Sequence, residues 1–283
     1  MSIRIITDSA SDISQKTAKE WGITVLPLTV RFGDDEYLSG VTLSNYEFYE
    51  KLIETDEIPK TSQIPPFTYE EAFQEAVDAG DEVICITLSS GVSGCFQSAT
   101  IASEDFEESV SVIDSQQFCI SLYVLIQYAV SLRNEGKSRA EIVELIEQKK
   151  KSARVLGVFD TLEYLKLGGR LSSAAAFAGN MLSIKPVVTI EDGEVKIVGK
   201  ARGSKNGNNM LIQLTKDLGG VDFTKPICFG YSGLTDEMLH KYIKDSASLY
   251  EGKIDEFNII SVGPTIGTYT GPGAIAVAFF TND

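Results

Sequence analysis

Apolar runs and polar turns alternate along the first half of the chain in a way that separates strands from helices. Ile3 to Thr7 and Val83 to Thr87 are short and rich in β-branched residues, the pattern of strands buried in a parallel sheet. Ile23 to Phe32 is a second apolar run, closed by the turn Gly33-Asp34-Asp35; Ser109 to Ile113 and Arg154 to Phe159 repeat the strand pattern. Between them the spacing predicts helices over Asn45 to Glu54, Thr68 to Ala79, Gln117 to Asn134 and Ser138 to Lys151. The polar stretch Asp8 to Ser14 offers several N-cap residues and leads into a helix through Glu20. Lys60 to Pro66 reads as a loop, because a proline disfavours helix at the residue before it. Strands that alternate with helices imply a mostly parallel sheet joined by right-handed crossovers.

Beyond Asp160 the rhythm changes. Leu162 to Leu167 and Ser173 to Leu182 read as helices on either side of Gly168-Gly169-Arg170, and Asp192-Gly193 joins the strands Pro186 to Glu191 and Val195 to Lys200 as a hairpin. Ser204 to Leu218 and Thr235 to Tyr250 have helical spacing; Ile227 to Tyr231, Ile259 to Val262 and Ala274 to Phe280 complete the strands. The fold class expected is therefore α/β. An N-terminal, mostly parallel sheet with flanking helices (Rossmann-like) covers residues 1–159, and a C-terminal α+β domain with a largely antiparallel sheet covers 160–283. A length of 283 residues fits two domains.

The stretch Leu88-Ser89-Ser90-Gly91-Val92-Ser93-Gly94 follows the strand Val83 to Thr87 and precedes a helical segment from Cys95 to Ala102. A strand that ends in a small, hydroxyl-rich turn and enters a helix is suited to an anion, because the helix start offers unpaired N–H groups and the positive end of the dipole. Ser93 is placed as the N-cap, and the local pattern leaves open whether it does more than cap its own helix.

Charge and composition remove several function classes. A net charge of −15 opposes sequence-independent binding to nucleic acid or to anionic membrane surfaces. The longest apolar run, Phe118 to Leu132, is too short for a membrane span and carries Gln127, so it reads as a core helix, without stable membrane insertion. The first residues read as a strand with no leader pattern, and the expected location is cytoplasmic. The four cysteines, Cys85, Cys95, Cys119 and Cys228, form no paired spacing, and with one histidine no metal site is expected. Cys95 sits where a helix start lowers a thiol pKa, although simple packing is the ordinary role for such a residue. The position after the first strand holds Thr7-Asp8-Ser9-Ala10-Ser11-Asp12 where a dinucleotide fold needs Gly-x-Gly-x-x-Gly. Gly91-Val92-Ser93-Gly94 and Gly230-Tyr231-Ser232-Gly233 lack the second glycine of a nucleophile elbow, and His240 is expected to face solvent.

The ordered set of Ile6-Thr7-Asp8-Ser9, Thr61-Ser62-Gln63, Ser89 to Gly94, Gly168-Gly169-Arg170-Leu171-Ser172 and the glycine-rich segment Gly263 to Gly273 resembles the DegV family of bacterial fatty-acid-binding proteins across essentially the whole chain. The resemblance implies that one long-chain fatty acid is buried between the two domains, with no cofactor and no catalytic residue. It also implies, as in some members, presentation of the carboxylate to an ATP-binding fatty acid kinase subunit. Carried onto this sequence, the ligand contacts fall on Thr61, Ser62, Ser93 and Gly94, with Thr265, Ile266 and Tyr269 near the same headgroup. Arg170 and Arg202 would support phosphoryl transfer or partner docking, and Arg170 pairing only with a local carboxylate is the alternative. Phe177, Met181, Leu182 and Ile184 would wall the tunnel or fill core. The family's glycine-rich segment commonly reads Gly-Thr-His-Thr-Gly-Pro-Gly, and Tyr269 here replaces the histidine: it donates a hydrogen bond but carries no charge near pH 7. Two other functions remain open on sequence, a Ser93-dependent hydrolase or acyltransferase and a binding module for another small anion.

Overall fold

The computed structural model describes residues 2–55, 57–171 and 184–282. The helix expected over Ser173 to Leu182, with Phe177, Met181 and Leu182 of the tunnel wall, lies outside the described residues.

The fold is α/β with two principal sheets. The first has four parallel strands in the order β2-β1-β6-β7, where β1 is Ile3–Asp8, β2 Ile23–Leu26, β6 Glu82–Thr87 and β7 Val110–Asp114. Ile5, Ile6, Val83, Ile84 and Ile86 are fully buried in it, as their unbroken apolar character requires. The run Ile23 to Phe32 does not form one strand. It breaks at Pro27, whose missing N–H cannot serve a ladder, and resumes as β3 (Thr29–Phe32) in a separate antiparallel sheet with β4 (Asp35–Leu38) and β5 (Lys60–Ser62). Lys60 to Ser62, read as loop, is thus an edge strand.

The second sheet has six strands in the order β10-β9-β8-β13-β11-β12 and is mostly antiparallel. Its members are β8 (Ala153–Val158), β9 (Ile184–Glu191), β10 (Glu194–Arg202), β11 (Cys228–Tyr231), β12 (Ile259–Ser261) and β13 (Ile275–Phe280). Strand β8 falls before residue 159, yet it pairs with β13 and β9, so the change of sheet comes ahead of it. Both of its partners arrive later in the chain, and an apolar run alone does not say which sheet it joins.

Helix α5 (Ile120–Asn134) lies between the sheets, touching the first through β1 and the second through β8, β11 and β13. It is apolar almost all round because both sides are buried. Strand β13 alternates to suit its two faces. Ile275, Val277 and Phe279 pack with the outer helices α8 (Ser204–Asp217) and α9 (Glu237–Asp245), whereas Ala276 and Ala278 face α5. The segment expected as one helix over Thr235 to Tyr250 divides at Ser246, whose hydroxyl donates back to the Tyr242 carbonyl at 2.7 Å.

The β9–β10 hairpin fastens the two halves together. Asp192 (φ 50°) and Gly193 (φ 78°) form the two-residue primed turn that matches strand twist. The tip reaches the serine-rich turn, where Ser89 Oγ donates to the Gly193 carbonyl at 2.8 Å. A Cβ on Gly193 would strike Ser89 Oγ. Gly193→Ala should therefore lower stability by at least about 1–2 kcal/mol from backbone strain alone, read as a lower urea midpoint.

Candidate functional site

Four segments converge on one cavity of about 230 Å³ between the sheets. Its walls are apolar: Leu28, Leu88 and Val92 from the first half, Phe159, Val188 and Ala276 from the six-stranded sheet, and Ile266 from the glycine-rich segment. Polar groups come from β5, the serine-rich turn, the Gly168-Gly169-Arg170 corner after α7 (Glu163–Leu167), and α11 (Pro264–Thr270), with Thr189 of β9 and Ser232 after β11 also in the lining. The glycine-rich segment is thus a short helix, begun by Pro264 at a position that needs no N–H and ended at Gly271 (φ 63°).

Ser93 is not the N-cap of α4 (Cys95–Ala102). The cap is Gly94, which makes no side-chain bond. A one-residue shift leaves the Ser93 hydroxyl with two long interactions, accepting from Cys95 N–H at 3.4 Å and donating to Cys95 Sγ at 3.4 Å, so its own helix does not consume it. Gly94 is required because a Cβ there would collide with the Gln63 side chain, which crosses it to donate from Nε2 to Ser98 Oγ at 3.0 Å. Gln63, quoted only as part of a motif, thereby lines the cavity.

Thr61 and Tyr269 share a hydrogen bond of 2.6 Å across the cavity mouth. The Arg170 guanidinium lies 5.0 Å from the centre of the Tyr269 ring, and its Nε and Nη1 donate to the carbonyls of Val92 (3.3 Å) and Gly168 (2.7 Å). Gly168 permits the stacking, since a Cβ there would meet Tyr269 Cδ1 at 2.5 Å. Arg170, Tyr269 and Thr61 therefore link both halves around the opening. Arg170 has no carboxylate partner among the described residues; two carbonyls and a ring hold it.

Two expected residues lie elsewhere. Ser62 follows Thr61 on β5 and, by strand alternation, points away; it is exposed and absent from the cavity lining. Arg202 is exposed at the end of β10, opposite Ile184, and also outside the lining. Thr265 and Ile266 do line the cavity, but the Thr265 hydroxyl is committed to Ser9 Oγ at 3.0 Å. His240 faces solvent on α9 and pairs with Asp236 at 3.1 Å. Cys95 is fully buried, and burial pushes its thiol up to about 11, overriding any effect of the helix start. Among the described residues no cluster of His, Cys, Asp or Glu could hold a metal ion, and no helix is long and apolar enough to cross a membrane.

The DegV family model matches residues 2–282. A DegV domain-containing protein of Caldanaerobacter subterraneus is 36% identical over 98% of this chain and 98% of its own length. The chain belongs to the DegV family. Among solved structures, a DegV family protein from Thermus thermophilus, described for its fatty acid binding, superposes with a TM-score of 0.90 at 30% identity, covering 100% of both chains. A stearic acid-binding protein from Eubacterium ventriosum gives 0.87 at 28% identity, covering 99% of this chain and 98% of its own.

Two carboxylates that the motif reading left without a role brace the DegV site from behind. Asp8 accepts from Ala10 N–H (3.0 Å) and Leu88 N–H (2.7 Å), clamping the ends of β1 and β6. Asp12 accepts from Gly263 N–H at 2.8 Å and so anchors the start of α11. The second Asp12 oxygen, Oδ2, is buried without a hydrogen-bond partner. Burial raises both acids from 3.8 to about 7, against the lowering effect of those N–H donors. With folded pKa values above the unfolded 3.8, the protonated acids favour folding, and that stability, complete below pH 4, is lost as pH rises through 7. The melting temperature should accordingly fall as pH rises from about 4 to about 7 and level off above that. Asp12→Asn, which keeps an acceptor for Gly263 and removes the charge, should flatten this slope; an unchanged slope in the variant would assign the effect to other groups.

Proposed function

We propose that this chain binds a single long-chain fatty acid and carries it without transforming it. One observation supports this above all: a mostly apolar cavity with Thr61, Ser93, Arg170 and Tyr269 gathered at one side, in a chain that shares its fold with relatives described as fatty-acid binding. A tail of about sixteen carbons, at about 0.8 kcal/mol per methylene, brings on the order of 10 kcal/mol of transfer free energy, offset in part by the entropy of association. The carboxylate is assigned to Thr61, Ser93, the N–H groups at Gly94 and the Tyr269 hydroxyl, with the Arg170 cation at the rim. Neutral donors at a helix start hold an anion without burying a counter-charge, which would be costly to desolvate.

Among the cavity-lining residues described there is no His, Asp, Glu or Lys. A serine nucleophile at Ser93 would have no general base, so no observation favours a hydrolase. Chemistry on the carboxylate, such as acyl-phosphate formation, then requires a partner that brings ATP, and a fatty acid kinase subunit is the partner proposed.

Native mass spectrometry of the purified protein, followed by solvent extraction, tests the carrier reading. A stoichiometric adduct that extracts as a long-chain fatty acid is expected; absence of an adduct and of uptake from added palmitate or oleate would sink it. Thr61→Ala and Ser93→Ala should each weaken retention by roughly tenfold, the loss of one charge-assisted hydrogen bond, while melting as the wild type does. Tyr269→Phe keeps the ring under Arg170 and removes only the hydroxyl. It should weaken binding by a similar factor if that hydroxyl contacts the carboxylate, and equal affinity would remove Tyr269 from the headgroup set.

A further inference from the structure

The floor of the cavity is supplied by β8, β13 and β11, neighbours in the middle of the six-stranded sheet. Ala276 of β13 is in register with Gly157 of β8 on one side and Gly230 of β11 on the other. Ala276 lies on a central strand yet stays only half-buried, while Ile275 and Val277 beside it are buried. Its methyl group opens on the hollow. The two glycines keep that hollow free between existing walls, for a Cβ on Gly157 would lie 3.0 Å from Phe159 and one on Gly230 3.1 Å from Ile120.

The cavity has a direction along these strands. At one end of this stretch Ala274 and Phe159 belong to the apolar cluster against which Tyr269, the partner of Thr61, is packed. Two residues further from the mouth along β8 than Gly157, Val155 also lines the cavity and pairs with Ala278, which is fully buried. Ala278 and Phe280, the next inward residues of β13, are buried and outside the lining, with the Phe280 ring edge-on to Tyr128 at 5.5 Å. Along β8 and β13 the lining therefore runs from Phe159 and Ala274 over Gly157 and Ala276 to Val155.

Resting on the fatty-acid reading, we propose that Ala276 and Val155 gauge the length of the acyl chain: the tail passes over the Ala276 methyl and its end abuts Val155, so side-chain volume at these two positions sets the longest chain accepted. Protein interiors do not absorb added methylenes without strain. A larger residue at 276 fills the channel partway along, and a smaller one at 155 extends it.

The test offers delipidated wild type, Ala276→Leu and Val155→Ala an equimolar mixture of saturated dodecanoic, tetradecanoic, hexadecanoic and octadecanoic acids, and reads the bound distribution by native mass spectrometry. Ala276→Leu should lower the share of the longest acid the wild type accepts by about tenfold, in favour of shorter ones. Val155→Ala should shift the distribution the opposite way. Identical distributions in variants that melt cooperatively would overturn the gauge while leaving fatty-acid binding intact. If the leucine variant does not fold, Val155→Ala decides alone: a shift to longer chains supports the gauge and no shift overturns it. Wild type that takes up none of the acids would overturn the fatty-acid reading, and the gauge with it.

Discussion

The enclosure of the cavity depends on holding irregular backbone still, and buried carboxylates accepting backbone N–H groups do this. Asp8 ties Leu88 to the turn after β1, and Asp12 ties Gly263 to the same turn. Ser9 adds bonds to Leu28 N–H and to the Thr265 hydroxyl. The loops after β1 and β6 and the start of α11 are therefore one hydrogen-bonded unit. Burial makes that unit costly to ionise, with both acids raised to about 7, so the brace lies close to its titration point under ordinary conditions.

A second constraint comes from the sheet. A central strand normally packs large side chains along both faces, but β13 does so along only one. Its outer face presents Ile275, Val277 and Phe279 to the helices; its inner face presents Ala276 and Ala278 before Phe280 packs on Tyr128. This asymmetry lets α5 approach closely at Ala278 and leaves room at Ala276, so packing and cavity follow from one alternation. The rest of the enclosure is fastened at the rim, where the Ser89 bond to the hairpin tip and the Arg170 bond to Val92 both cross between the halves.

Much of this was legible in the chain because local patterns carried it. The Asn45–Glu54 helix and the Asp192-Gly193 hairpin were readable from capping, spacing and turn chemistry, which are local effects. What escaped was decided by distant partners. The sheet to which β8 belongs depends on β13, far along the chain, and no property of residues 153–158 reports it. The edge-strand pairing of Lys60 to Ser62 likewise depends on β3. In the site, Thr61, Ser93, Arg170 and Tyr269, all named from motifs, line one cavity, whereas Thr61 and Ser62, treated as a pair, are separated by strand alternation. Asp12 was quoted only as a turn residue, since its acceptor role becomes visible when Gly263 lies beside it. Residues 172–183, which include Phe177, Met181 and Leu182, lie outside the described part.

Tyr269, at the position where the resemblance leads one to expect histidine, fits this electrostatic design. A cation at that position would sit against the Arg170 guanidinium, which instead lies over a neutral ring whose π face attracts it. The tyrosine hydroxyl still reaches Thr61, so the bridge across the mouth is kept without a second positive charge. Among the described residues the mouth then has the tethered Arg170 cation at the rim and neutral donors within. On the function proposed, an arriving carboxylate would gain hydrogen bonds there without a buried ion pair having to be broken, and would leave on the same terms. For the carrier role proposed, that balance would let the headgroup be released as readily as it is accepted.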